Sequence, residues 1–238
     1  MEILSEGIVI IVGNYGSGKT EVAINLAVHQ KRRGIDVRVA DLDLVNPYFR
    51  TREARKALAE LGIEVVLPPE QYLHADLPIL TPAIGGMIRK PSQLTVLDVG
   101  GDDAGARVLA ALADALKDKP VRVIQVVNTY RPFTDTVDGC LRLRKEIENA
   151  SKMTITGIIG NTHLLDDTTS ADIYRGYEFV RRLSDETGMT LEFVTVAANL
   201  LTDIDTARFS CPVLPIERQL VPPWKKAVSL GMKKLAII

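Results

Sequence analysis

A three-layer α/β fold, with a mostly parallel sheet covered by helices on both faces, follows from three features of the chain. Short β-branched runs alternate with helical segments along its length, the pattern of strands joined by crossover helices. The first run, Gly7-Ile8-Val9-Ile10-Ile11-Val12, opens directly into Gly13-Asn14-Tyr15-Gly16-Ser17-Gly18-Lys19-Thr20, a full match to the phosphate-binding pattern G-x-x-x-x-G-K-[ST]. At 238 residues the chain has a length at which α/β folds form one unit, so a single domain over 1–238 is expected.

In chain order, strands are predicted at 8–12, 37–40, 94–97, 121–127, 155–159 and 191–196. Between the first two, a helix over 20–33 places Val22, Ala23, Leu26 and Ala27 on one face, Lys31, Arg32 and Arg33 in its last turn, and Gly34 as its stop. The stretch 63–93 is less regular, with several prolines and a Gly85-Gly86 pair. It reads as an insertion holding a short extended piece and a short helix. Neither an internal repeat nor a low-complexity segment is present.

The chemistry begins at the glycine-rich turn. A strand running through such a turn into a helix aims several backbone N–H groups and a helix N-terminus at one point, where an anion is stabilised. Gly13, Gly16 and Gly18 let the backbone approach phosphate oxygens, with Asn14, Tyr15 and Ser17 completing the cradle. Lys19 is expected on the β- and γ-phosphates, and the Thr20 hydroxyl on a bridging Mg²⁺. The plain alternative is a glycine-rich turn with no ligand.

Ligands of an open parallel sheet sit beyond the carboxyl ends of its strands. Asp41 and Asp43 leave the second predicted strand there, and Asp98 leaves the third. Mg²⁺ beside phosphates keeps several waters and needs only one or two carboxylates, and Asp98 is the better candidate. Asp98-Val99-Gly100-Gly101 also has the D-x-x-G form, in which a glycine N–H can sense a terminal phosphate. Capping of the following turns is the competing role for these acids.

Composition excludes other classes. Lys+Arg 29 against Asp+Glu 30, net charge -1, gives no global field for nucleic acid, and no sequence-specific nucleic-acid binding is expected. Cys140 and Cys211 form no close pair, and His29, His74 and His163 have no metal-ligand spacing. Cys140 is expected mid-helix, buried and inert. The absence of an export-like N-terminus or a spanning apolar run predicts a soluble, cytoplasmic protein. After Pro222-Pro223, Trp224, Val228, Met232, Leu235 and Ile238 share one helical face, opposite Lys225, Lys226, Lys233 and Lys234. Residues 224–238 read first as a docked terminal helix with snorkelling lysines, and second as a membrane-interface segment.

Taken in order, GNYGSGKT, DLDLVNP, LDVGG and GIIGNTH resemble the MinD/ParA group of P-loop ATPases. That group lies within the wider SIMIBI class, which includes nitrogenase iron proteins and signal-recognition GTPases. The similarity runs from about Gly7 to about Arg218. It implies a P-loop NTPase fold, binding of ATP with Mg²⁺, a nucleotide-dependent homodimer closing around the nucleotides, and a switch awaiting an unidentified protein partner. It places Asp98 on the metal through water, gives Asp41 a supporting role in the metal shell, and makes Asp43 the residue that positions the attacking water. Asn161 corresponds to the asparagine that reads the purine edge, and the segment around Pro215 and Ile216 passes over the base. One position departs: the group's signature lysine, right after the first glycine, is here Asn14. This puts the sandwich dimer in question, with Arg50, Arg52 or Arg55 as substitute charges.

Guanine recognition needs a carboxylate in an N-K-x-D arrangement, whereas this chain reads Asn161-Thr162-His163-Leu164. ATP is therefore favoured, with Asp166 and Asp167 near enough to keep GTP open. The expected chemistry is phosphoryl transfer to water, with Lys19 and the loop amides stabilising charge and Asp43 orienting the nucleophile. The alternatives are a small-molecule kinase or ATP-dependent ligase whose acceptor meets His74, Asp76 or Arg89, and a nucleotide-binding module without useful hydrolysis. Tyr130-Arg131-Pro132-Phe133 follows the fourth predicted strand at the ligand end and reads as lining for a partner surface.

Overall fold

The alternating runs form strands of one sheet. The computed structural model describes residues 2–43, 51–67, 82–101 and 103–220. In chain order the elements are β1 (Gly7–Gly13), α1 (Lys19–Arg32), β2 (Val37–Leu42), α2 (Arg55–Glu60), β3 (Glu64–Val66), α3 (Pro82–Arg89) and β4 (Leu94–Val99). There follow α4 (Asp103–Leu116), β5 (Val121–Val127), α5 (Val137–Ser151), β6 (Gly157–Gly160), α6 (Ser170–Thr187), β7 (Thr190–Ala197) and β8 (Val213–Ile216). Among the described residues the sheet has eight strands in the order β3-β2-β4-β1-β5-β6-β7-β8, and each of their pairings is parallel.

The two-residue period of β1 divides the core. Ile8, Ile10 and Val12 face a cluster with Ile84 of α3, Leu109 of α4, Cys140 of α5 and Val180 of α6. Val9 and Ile11 face the other way, toward Val22 and Leu26 of α1 and Leu58 of α2. A strand with both faces covered has no solvated side, which is why it reads as an unbroken apolar run. Helices thus lie on both faces, as the sequence predicts.

All six predicted strands are present, with two differences. The fifth starts later, at Gly157, because the Ile155 amide donates to Glu148 Oε1 at 2.8 Å and is held by α5 instead of the sheet. The strand β8, Val-Leu-Pro-Ile, is absent from the prediction; its Pro215 lies at register with Val196 on the margin of the sheet. The irregular stretch 63–93 contains β3 and α3 among its described residues.

Helix starts separate structural helices from the functional one. Thr136 caps α5 by accepting from the Gly139 amide, and Thr169 and Asp172 form a capping box on α6. In α1 the N-cap is Gly18, at φ 87° in the left-handed region, and no side chain caps the helix. Its first amides are left for something other than the protein's own side chains. Among the described residues no helix is long and apolar enough to cross a membrane. The helix predicted over 224–238 falls outside the described residues, as do Tyr48, Phe49, Arg50, His74, Asp76 and the side chain of Arg52.

Candidate functional site

The sheet order explains the site. The strands β4 and β5 flank β1 on either side, so the segments leaving them meet the loop 13–20 from both sides. On the β5 side the loop is tied down. The Asn14 side chain donates to the Pro132 carbonyl at 2.6 Å and accepts from the Tyr15 amide at 2.8 Å. Arg131 Nε donates to the Gly16 carbonyl at 2.9 Å. Beneath the loop, Asn161 Nδ2 donates to the Ser17 carbonyl at 2.7 Å, and Asn161 Oδ1 accepts from the Thr195 hydroxyl at 2.5 Å. Asn161 approaches Gly18 so closely that a Cβ there would collide with its amide nitrogen. The buried Ser17 hydroxyl oxygen has no hydrogen-bond partner.

Lys19, the first residue of α1, is buried, and its ammonium donates to the Asn14 carbonyl at 3.0 Å. A Cβ on Gly101 would lie 2.6 Å from Lys19 Nζ and 2.9 Å from the Tyr15 amide nitrogen. The second glycine of Asp98-Val99-Gly100-Gly101 is therefore pressed against the mouth of the loop, where only a residue without a side chain fits.

On the β4 side lies an acid corner. Asp41 and Asp98 stand at register with each other on β2 and β4, and both are fully buried. Asp98 Oδ2 accepts from the Thr51 hydroxyl at 2.8 Å, and Thr20 also bonds the Asp98 carboxylate. The other oxygen, Asp98 Oδ1, is buried without a hydrogen-bond partner. Burial pushes the Asp98 carboxyl up to about 7, and the Asp41 charge adds to this; Thr51, Thr20 and Lys19 pull in the opposite direction. Asp43 is buried next to this pair, and its amide donates to Asp41 Oδ1 at 3.1 Å. An unpartnered carboxylate oxygen, a threonine hydroxyl and a second carboxylate make a hard-oxygen donor set suited to Mg²⁺. Among the described residues no group of three or more His, Cys, Asp or Glu side chains could hold a metal, so such an ion would need phosphate and water ligands as well.

At the other end of the loop, the segment after β8 is clamped to α1. Glu21 accepts from the amides of Gln219 (2.5 Å) and Leu220 (3.0 Å), and Asn25 Oδ1 accepts from the Glu217 amide at 2.8 Å. Burial raises the Glu21 carboxyl. Pro215 is partly buried within β8, so the clamp brings the residues after it, not Pro215, onto the helix. His163 also lies near Gly18. Burial, followed by the charges of Arg131 and Arg218, lowers its imidazole to about 4.

The structure thus gathers the loop, Asp41, Asp43, Asp98, Asn161 and the segment after Pro215 at the carboxyl ends of the strands. Arg55 is exposed on α2. Both polar groups of Asn161 are engaged within the protein, which makes it a brace of the loop in this arrangement. The sequence reading misses Thr51, Asn128 and the contact of Arg131 with the loop. Asn128 bonds both the amide and the carbonyl of His163 (3.3 and 3.2 Å). Cys140 lies buried in α5, its thiol pushed up to about 12 by burial, as the sequence predicts. A cavity of about 380 Å³ opens beside the loop, lined by Gly13, Asn14, Gly100, Gly101, Phe133 and Arg142 among others.

No protein-family model matches the chain, and no curated protein matches it. Solved structures do. It is similar to the signal recognition particle 54 kDa protein of Aeropyrum pernix K1 in complex with GDP, with TM-score 0.54 and 22% identity, covering 82% of this chain and 42% of that one. Chloroplast FtsY of Physcomitrella patens gives TM-score 0.55 and 21% identity over 81% of this chain and 60% of that one. The signal recognition particle receptor FtsY of Elizabethkingia anophelis in complex with GDP gives 0.55 and 16%, covering 83% and 59%. The fold is that of the P-loop nucleotide-binding proteins. At these identities the likeness speaks for the fold, and it does not single out the MinD/ParA branch. The chain spans only about two fifths to three fifths of the length of these three proteins.

Proposed function

We propose that the chain binds a nucleoside triphosphate with Mg²⁺ at the loop 13–20, hydrolyses it, and uses the nucleotide as a conformational switch. The observation that carries this is the juxtaposition at Lys19. Its ammonium rests on the Asn14 carbonyl and against Gly101, while Asp98, three residues before Gly101, keeps an unpartnered buried oxygen beside Thr20. A triphosphate brings a dense anion to Lys19 and the α1 amides, and the same event reaches the 98–101 segment. Bound Mg²⁺, held by Thr20 and Asp98 with Asp41 in support, would neutralise charge on the β- and γ-phosphates. Asp43, within this corner, orients the attacking water, and Lys19 with the loop amides stabilises developing charge.

ATP is the favoured nucleotide, because 161–164 supplies no carboxylate for guanine. Two of the similar structures hold GDP, so guanine is the base to test against. Calorimetric titration with MgATP and MgGTP, for wild type and Lys19→Ala, decides the matter. Binding of ATP that Lys19→Ala abolishes supports the reading, and absence of heat with either nucleotide overturns it. A switch of the MinD/ParA type further predicts ATP-dependent homodimers by light scattering, persisting in Asp43→Ala, and an activating protein partner.

A second reading, a small-molecule kinase or ligase, is favoured by the cavity of about 380 Å³ beside Gly100 and Gly101, a size suited to a metabolite. It predicts unchanged mass with nucleotide, and phosphate transfer only when an acceptor is supplied.

A further inference from the structure

Because β5 neighbours β1 in the sheet, the turn that follows β5 runs alongside the phosphate loop. That turn is fixed internally: the Arg131 amide donates to the Asn128 carbonyl at 3.1 Å, and the Thr134 hydroxyl donates to the same carbonyl at 2.7 Å. It is fixed to the loop at two points, through Asn14 to the Pro132 carbonyl and through Arg131 Nε to the Gly16 carbonyl. The second contact uses only one edge of the guanidinium. Among the described residues, the two Nη groups of Arg131 have no hydrogen-bond partner, and no carboxylate forms an ion pair with it.

The remaining Nη donors of this partly buried arginine can take a further acceptor, and the guanidinium stands two residues along the loop from the carbonyl that holds the Lys19 ammonium. Two cations therefore lie on the 14–16 segment. The neighbouring His163 supplies no negative charge, and Arg218 is ion-paired with Asp166 at 3.0 Å. The planar donor fork of arginine suits phosphate oxygens.

We propose that Arg131 is a second phosphate-binding cation of the loop, its Nη edge taking a non-bridging oxygen of the nucleotide's phosphate chain. It provides from within the same chain a positive charge that Asn14, on the adjacent strand of contacts, does not carry. The inference rests on the nucleotide reading above and adds a residue to it.

The test compares wild type, Arg131→Gln, Arg131→Lys and Lys19→Ala for binding of MgATP and MgGTP, by calorimetry at several salt concentrations. Adenosine is measured by competition against a fluorescent ATP analogue. The expected result is about a tenfold or greater loss of ATP affinity in Arg131→Gln, a shallower salt dependence, adenosine affinity unchanged, and partial recovery in Arg131→Lys. Should Arg131→Gln not fold, Arg131→Lys alone is read, with a threefold or greater loss of ATP affinity and unchanged adenosine affinity expected, about half the logarithmic effect. An equal loss for ATP and adenosine makes Arg131 a mechanical brace and overturns the proposal, as does unchanged ATP affinity. If wild type binds neither MgATP nor MgGTP, the nucleotide reading fails; if Lys19→Ala loses the nucleotide while the Arg131 variants keep it, only this inference fails.

Discussion

The two flanks of the phosphate loop are built on opposite terms. On the β5 and β6 side its carbonyls and side chains are paired with Arg131, Pro132 and Asn161 at 2.6–2.9 Å. On the β4 side Asp98 carries a buried oxygen without a partner and faces Asp41 across the register. The first flank holds the loop backbone with the protein's own groups and leaves the Nη edge of Arg131 for an anion; the second lacks what a cation would supply. Binding sites are served by both conditions. The paired side holds the loop in shape before any ligand arrives, which lowers the ordering cost of binding. The unpaired side stores an unfavourable interaction that a metal-bound phosphate relieves.

Lys19 belongs to both flanks, and its loss has the largest effect. Lys19→Ala should lower triphosphate affinity by about 100-fold, or roughly 3 kcal/mol, because a charge-assisted phosphate contact is lost in a buried setting. Titration calorimetry measures it, and a loss below threefold would contradict the site.

Asp98→Asn should separate function from stability. The Asp98 pKa in the folded protein, about 7, exceeds its ordinary value of 3.8, so the native state holds the proton more tightly than the unfolded chain. Stability from this group therefore falls as pH rises from about 4 to about 7 and stays low above that. The asparagine variant avoids the penalty, and without ligand it should melt higher than wild type at pH 8 and no higher at pH 4. Its Mg²⁺-dependent affinity gain should fall by about tenfold or more. Stabilisation together with loss of metal dependence is the mark of an acid kept for function.

Asn161→Ala attacks the paired flank. It leaves the Ser17 carbonyl without its Asn161 donor and the Thr195 hydroxyl with only its 3.3 Å bond to the Gly160 carbonyl, at a cost of about 1–3 kcal/mol in urea unfolding. If Asn161 also reads the base, the ratio of ATP to GTP affinity changes; if it is only a brace, both affinities fall together.

The smallest effect concerns His163. Its folded pKa, about 4, lies below the ordinary 6.5, so the unfolded state binds the proton more tightly and stability is lost as pH falls from 6.5 toward 4. His163→Gln should flatten that limb in urea unfolding followed against pH. In Arg131→Gln the imidazole pKa should rise in an NMR titration, since one of the charges depressing it is removed.

What was legible in the sequence was local. The loop, α1 and the strand that feeds it declare themselves because their signals are contiguous: a β-branched run, glycines at fixed offsets and a basic last turn. Asp41 and Asp98 could be placed at strand ends, but that they face each other follows from β2 and β4 being neighbours, a fact of topology that no spacing encodes. The same holds for Arg131 and Asn161, separated from their loop partners by 115 and 144 residues. The resemblance assigns Asn161 to the purine edge, and that its amide also meets the loop and Thr195 follows only from the neighbouring strands. The strand β8 escaped because a proline within four residues argues against a strand, and it is tolerated here only at the margin.

That margin has a further consequence. A sheet that leaves its outermost strands long and regular invites strands from other molecules to extend it. Among the described residues one flank ends in three residues, Glu64–Val66, and the other in four, including an imino acid that offers no amide hydrogen. Lateral recruitment finds few rungs to grip on either side. Self-association, where it occurs, is thereby discouraged from growing sideways into fibres.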